Sequence, residues 1–102
     1  MEIKNQRVYY AVFFVTKYMS LEEAKRKAPE ELGAHVARSK QFHEQGKLLL
    51  TGAFLDRPDE PVSTMGVLIS REAAEEYAKG DPFLLKGMGS NWYIREWANM
   101  LA

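Results

Sequence analysis

The stretch Val8-Tyr9-Tyr10-Ala11-Val12-Phe13-Phe14-Val15-Thr16 decides the fold. It is unbroken, β-branched and aromatic, which predicts a strand. Side chains alternate across a strand, and here neither alternate set is polar. Such a strand has both faces covered. Helices are expected on one side and another apolar surface on the other.

Reading onward, Ser20-Leu21-Glu22-Glu23 has the form of a capping box, with the serine and the second glutamate placed to satisfy each other's amides. The helix it opens is short, because Pro29 interrupts the pattern and suits the first turn of a second helix. That second helix is expected from about Glu30 to Gln45, closing at Gly46. At about 100° per residue, Leu32, His35, Val36, Ser39, Phe42 and His43 share one arc, so both histidines point toward the core side. Ala34, Arg38, Lys40, Gln41 and Glu44 fall outside that arc.

Lys47 to Phe54 reads as a second strand, and Asp56-Arg57-Pro58-Asp59-Glu60-Pro61 as a loop. Val62 to Ser70 is a third strand, close enough to form an antiparallel hairpin with the second. Ser70 caps a helix through Lys79 whose buried side is Ala73, Ala74, Tyr77 and Ala78. Gly80-Asp81-Pro82-Phe83 ends it, and Asn91 to Trp97 is the last strand.

The order is β-α-β-β-α-β, a single α+β domain over residues 1–102 with a ferredoxin-like sandwich: four antiparallel strands and both helices on one face. The first and last strands carry Tyr, Phe, Val, Trp and Ile on both alternate sets, so the other sheet face calls for a second copy. A homodimer packed sheet to sheet is therefore expected. Burying even ~500 Å² of apolar area per subunit contributes on the order of 12 kcal/mol before association costs.

Composition narrows the function. Fourteen basic and fourteen acidic residues cancel within 102 residues, which argues against nucleic acid as the main partner. No run of about 18 apolar residues exists, so no membrane-spanning helix is expected. The opening Met1-Glu2-Ile3-Lys4-Asn5-Gln6-Arg7 lacks the order of a signal peptide, and a cytoplasmic location is the default. The absence of cysteine excludes disulfides, thiolate nucleophiles and cysteine-held metals.

Few residues remain for chemistry. His35 faces the space between helix and sheet, where it is either a packed helix histidine or a general acid or base. Ser39, one turn on, is placed to hydrogen-bond to its ring. Arg38, at the edge of the arc, is either a solvated residue or a source of positive charge for a ligand. Asp81 precedes proline and so commonly holds a turn amide. The topology also lets it approach His35, where it would fix the ring's tautomer. His43 lies about 12 Å along the helix from His35, too far for the two to share one zinc ion. No metal or nucleotide cofactor is expected. Ser63, Ser70 and Ser90 have no nucleophile-elbow context, and Gly87-Met88-Gly89-Ser90 lacks the lysine of a phosphate-binding loop. The strand aromatics Tyr9, Tyr10, Phe13, Phe14, Trp92, Tyr93 and Trp97 read as core or interface.

The run His35-Val36-Ala37-Arg38-Ser39-Lys40-Gln41-Phe42-His43-Glu44-Gln45-Gly46, then Lys47-Leu48-Leu49-Leu50-Thr51-Gly52-Ala53-Phe54, and later Ala78-Lys79-Gly80-Asp81-Pro82-Phe83 with Ile94-Arg95-Glu96-Trp97, resembles the YCII-related family over nearly the whole chain. The resemblance implies a dimeric α+β barrel of ferredoxin-like subunits and a pocket with a His-Asp pair, falling here on His35 and Asp81. It also implies chemistry like that of dehydrochlorinases acting on chlorinated hydroxyquinones, or of small isomerases of aromatic breakdown. The chain departs from the family pattern at Leu32, where an arginine is frequent, at Gly52-Ala53, and around Met65-Gly66-Val67. These departures weaken an anionic-substrate reading and leave the fold intact.

The resulting expectation is a small enzyme with His35 and Asp81 as its acid/base pair. Arg38, Ser39, Phe54 and Phe83 would contact a small cyclic or aromatic-derived substrate undergoing elimination or isomerisation. The alternative is a non-catalytic small-molecule binder or accessory homodimer, in which the pair only holds the fold together. A purely structural dimer would have no pocket beside His35.

Overall fold

The computed structural model describes residues 7–87 and 89–101. The opening segment 1–6 and Met88 of the glycine turn, both read above, lie outside the described residues. The quoted stretch forms β1 (Val8–Thr16), followed by α1 (Leu21–Lys27), α2 (Pro29–Glu44), β2 (Leu48–Ala53), β3 (Ser63–Leu68), α3 (Arg71–Lys79), α4 (Pro82–Leu85) and β4 (Gly89–Ala98). The sheet order is β2-β3-β1-β4, with every pairing antiparallel. Val12 sits opposite Gly66 on one side and Ile94 on the other. The strand whose two faces are both apolar therefore takes an inner position.

The two alternate sets of β1 separate as the pleat requires. Tyr10, Val12 and Phe14 pack with Phe42, Leu48, Leu68, Tyr77 and the alanines of α3 into the main core. Phe13, on the opposite face, stacks on Tyr93 with ring centroids 4.8 Å apart. On that face Tyr93, Trp97 and Leu50 are exposed, Leu50 to 71%. A smaller core of Tyr18, Ala24, Ala28 and Phe83, with Leu32 against it, joins α1, α2 and α4.

Local signals set the helix ends. The Ser20 hydroxyl accepts from the Glu23 amide at 3.0 Å, so half of the expected capping box forms. The Glu23 carboxylate faces Lys27 at 3.9 Å, one turn on, rather than reaching back to the cap. Pro29 stands in the first turn of α2, where its missing N–H costs nothing. At the other end Gly46 has φ 75°, the Gly46 amide donates to His43 and the Lys47 amide to Phe42. This is a Schellman closure, and it turns the chain straight into β2. The sequence pattern did not separate α4 from the turn that ends α3. Its four residues are too few for a periodic signal. Among the described residues no helix is long and apolar enough to cross a membrane.

The main core makes a clear stability prediction. Leu68 is fully buried, whereas Leu55 is 80% exposed. Leu68→Ala is expected to cost about 2–5 kcal/mol by opening a cavity. Leu55→Ala is expected to stay within about 0.5 kcal/mol. Urea unfolding of both variants checks the contrast, and a similar loss in each would contradict this core.

Candidate functional site

Asp81 occupies the joint between α3 and α4, and its carboxylate is divided between two tasks. Oδ2 accepts from the backbone amides of Phe83 at 3.0 Å and Leu84 at 3.4 Å, capping α4. Oδ1 stands 2.6 Å from Nδ1 of His35 on α2. The turn reading of Asp-Pro and the pairing with His35 are thus both realised, by different oxygens of one side chain. Asp81 is 2% exposed, and the side chain of His35 is 18% exposed. The ring of His35 lies between those of Phe83 and Tyr77, with centroids 5.9 and 6.3 Å away.

This geometry fixes which ring nitrogen is available. An ionised carboxylate only accepts, so Nδ1 of His35 carries the hydrogen and donates. In the neutral ring Nε2 then holds the lone pair. His35 and Asp81 both line a cavity of about 560 Å³ between α2 and the helix-side face of β2 and β3. Its wall includes Phe14, Leu32, Val36, Leu48 and Phe83, so the pair borders a mainly apolar space. A cavity of this size suits a small organic molecule.

The other expected site residues divide. Phe83 lines the cavity beside the pair. Ser39 also contributes to its wall, but the hydroxyl is 2.7 Å from the Tyr77 hydroxyl, tying α2 to α3, rather than hydrogen-bonded to the His35 ring. Buried hydroxyls take the partner that satisfies both, and Tyr77 has the same need. Arg38 points away from the cavity. It donates to the carbonyls of Tyr77 at 2.8 Å and Glu76 at 2.6 Å, and its guanidinium lies over the Phe42 ring at 4.7 Å. Those carbonyls belong to the last turn of α3, where the Glu76 carbonyl also accepts from the Gly80 amide at the C-cap. Phe54 borders a different groove of about 710 Å³, between the β2–β3 connection and the start of α1.

Two rim residues lay outside the expected arc, and a third, His43, lay within it. Lys40 and Glu44 were placed outside the inward arc of α2, yet both border the cavity. His43 also lines it, with Nδ1 2.7 Å from the Leu48 carbonyl oxygen. A single inward arc describes a helix lying flat on a sheet. The cavity holds part of α2 away from the sheet, so its flanks become wall as well. Gly46 was the available signal for the His43 contact, since a tight closure there returns the chain toward the last turn of α2.

A ferredoxin-like α+β domain with a His-Asp pair at a cavity wall is the class these observations define. The YCII-related domain model matches residues 8–98, and the chain belongs to that family. Among solved structures, 5-chloro-2-hydroxyhydroquinone dehydrochlorinase (TftG) from Burkholderia phenoliruptrix AC1100, in complex with 2,5-dihydroxybenzoquinone, is similar at a TM-score of 0.62 and 12% identity, covering 87% of this chain and 92% of that one. The protein PA3566 from Pseudomonas aeruginosa is similar at 0.52 and 16% identity, covering 98% and 99%. The protein SO0527 from Shewanella oneidensis matches at 0.51 and 13%, covering 96% and 95%. These likenesses show the fold. No curated protein matches the chain.

The divided carboxylate predicts two different mutant behaviours. Asp81→Ala loses the cap and strands a buried donor, at a cost of about 1–3 kcal/mol. Asp81→Asn keeps its amide oxygen on the α4 amides and turns its NH2 toward His35, so Nδ1 must accept. The neutral ring then moves its hydrogen to Nε2. Nitrogen NMR of the imidazole should show this exchange of tautomers, with a smaller stability loss than for the alanine variant. An unchanged tautomer in Asp81→Asn would contradict the assignment.

Proposed function

We propose that the protein is a small enzyme in which His35 transfers a proton and Asp81 holds its ring. The observation that carries this reading is the 2.6 Å contact between a buried carboxylate and a histidine on the cavity wall. With its second oxygen fixed by the α4 amides, the carboxylate presents the first in one direction only. Nε2 is left to act as the base, and the imidazolium so formed is stabilised by Asp81.

The substrate class is a small cyclic or aromatic-derived molecule. The apolar wall supports this, as does a fold relative solved with a dihydroxybenzoquinone. In an elimination, Nε2 takes a proton from the substrate. The electron pair released forms the new double bond, and the leaving group departs with the pair from the broken bond. In an isomerisation, the imidazolium returns the same proton to a different carbon. Both reactions balance with one proton-transfer group.

The proposed working form is a homodimer packed through the open sheet face. Tyr93, Trp97 and Leu50 are exposed on that face, and a second copy laid against it would bury them. The groove beside Phe54 also borders Phe13 and Tyr93, so Phe54 belongs to this association surface as much as to any ligand site.

Turnover is tested by chloride release from 5-chloro-2-hydroxyhydroquinone and by solvent-deuterium incorporation into unchlorinated ring analogues. His35→Gln and Asp81→Asn are expected to lower kcat about 10²–10⁴-fold while folding as wild type does. Probe binding without turnover would replace the enzyme with a small-molecule binder. In that case the His35–Asp81 contact serves only to join α2 to α4. Sedimentation velocity tests the assembly. The wild type is expected as a dimer and Tyr93→Glu/Trp97→Glu as a monomer, whereas a monomeric wild type at micromolar concentration would refute the dimer.

A further inference from the structure

His43 takes no part in the pair, yet it borders the same cavity. A carbonyl only accepts, so the contact to Leu48 places the hydrogen of the neutral ring on Nδ1 and leaves the Nε2 lone pair open. The ring makes no other hydrogen bond among the described residues. Its orientation is built into the chain. The Schellman closure at Gly46 returns the backbone beside the last turn of α2. The Lys47 carbonyl accepts from Ile69 on the β3 side, so the next carbonyl, that of Leu48, points to the outer edge of β2 and meets His43.

Two histidines on α2 are therefore held in the same tautomer by unrelated acceptors, a carboxylate for His35 and a backbone carbonyl for His43. Helix rise separates them by about 12 Å along the axis. The wall they share is mainly apolar, from residues such as Phe14, Val36 and Leu48. Lys40 and Glu44 border the rim near His43 and add one charge of each sign there.

We infer that His43 is a second ligand-binding residue whose Nε2 accepts a hydrogen bond, and that the cavity takes molecules with hydroxyl or N–H donors at opposite ends of an apolar ring body. This rests on the reading of His35 as the ligand-facing base, and it narrows the substrate class. A ring with adjacent donors engages one histidine only. Donors at opposite ends engage both.

The test is nitrogen NMR of both imidazoles in the wild-type protein with phenol, catechol, hydroquinone and 4,4′-dihydroxybiphenyl. Hydroquinone or the biphenyl is expected to move the Nε2 signals of both His35 and His43, while phenol and catechol move one ring. His43→Phe should weaken binding of the opposite-end probe about 3- to 10-fold, the effect of one hydrogen bond. If His35 responds to the probes and His43 to none, the inference is overturned while the reading of His35 stands. If neither ring responds, both fall. The wild-type spectra decide the matter even if His43→Phe does not fold.

Discussion

The Asp81 carboxylate is the group on which the site depends. One oxygen closes the amide end of α4 and the other meets His35, so a single buried side chain joins the end of α3, the start of α4 and the middle of α2. A buried carboxylate is costly unless its lone pairs are used. Here two backbone amides and an imidazole N–H use them. Because the amides belong to a helix end, the carboxylate cannot rotate freely, and the histidine inherits that rigidity. Phe83, two residues on, is fixed by the same capped turn and brings an aromatic wall beside the ring.

The surrounding contacts hold α2 at the correct height above the sheet. Arg38 ties α2 to the last carbonyls of α3, and the Ser39 and Tyr77 hydroxyls satisfy each other beneath it. Phe42 packs into the main core and Leu32 against the smaller one. Between these anchors the helix borders open space rather than side chains. The cavity is thus a consequence of how the two cores are spaced.

Much of this was legible in sequence. The unbroken apolar run marked β1 as a strand, and Ser20, Pro29, Gly46 and Ser70 marked helix ends where they occur. The inward arc of α2 placed both histidines on the cavity side. What escaped has a common physical origin. Ser39 and Arg38 were assigned by their position on one helix, but their partners lie on α3, 38 or 39 residues away. Periodicity reports which way a side chain faces and is silent about competing acceptors on another element. The His35–Asp81 contact spans 46 residues and was allowed by topology alone. The family resemblance, rather than spacing, singled it out. Lys40 and Glu44 were missed because a helix beside a cavity has more than one inward flank.

The irregularity in β2 has a consequence of a different kind. The register with β3 shifts between Leu48 and Leu50, which leaves Leu49 as an extra residue in an edge strand. Exposed edges recruit further strands unless their ladder is interrupted. Here the bulge spoils the repeat, and the outward carbonyl of Leu48 is already engaged by His43. A strand added along this edge would find the Leu48 carbonyl already taken and the ladder out of step there. The same histidine that borders the cavity thus also occupies one acceptor of the sheet edge.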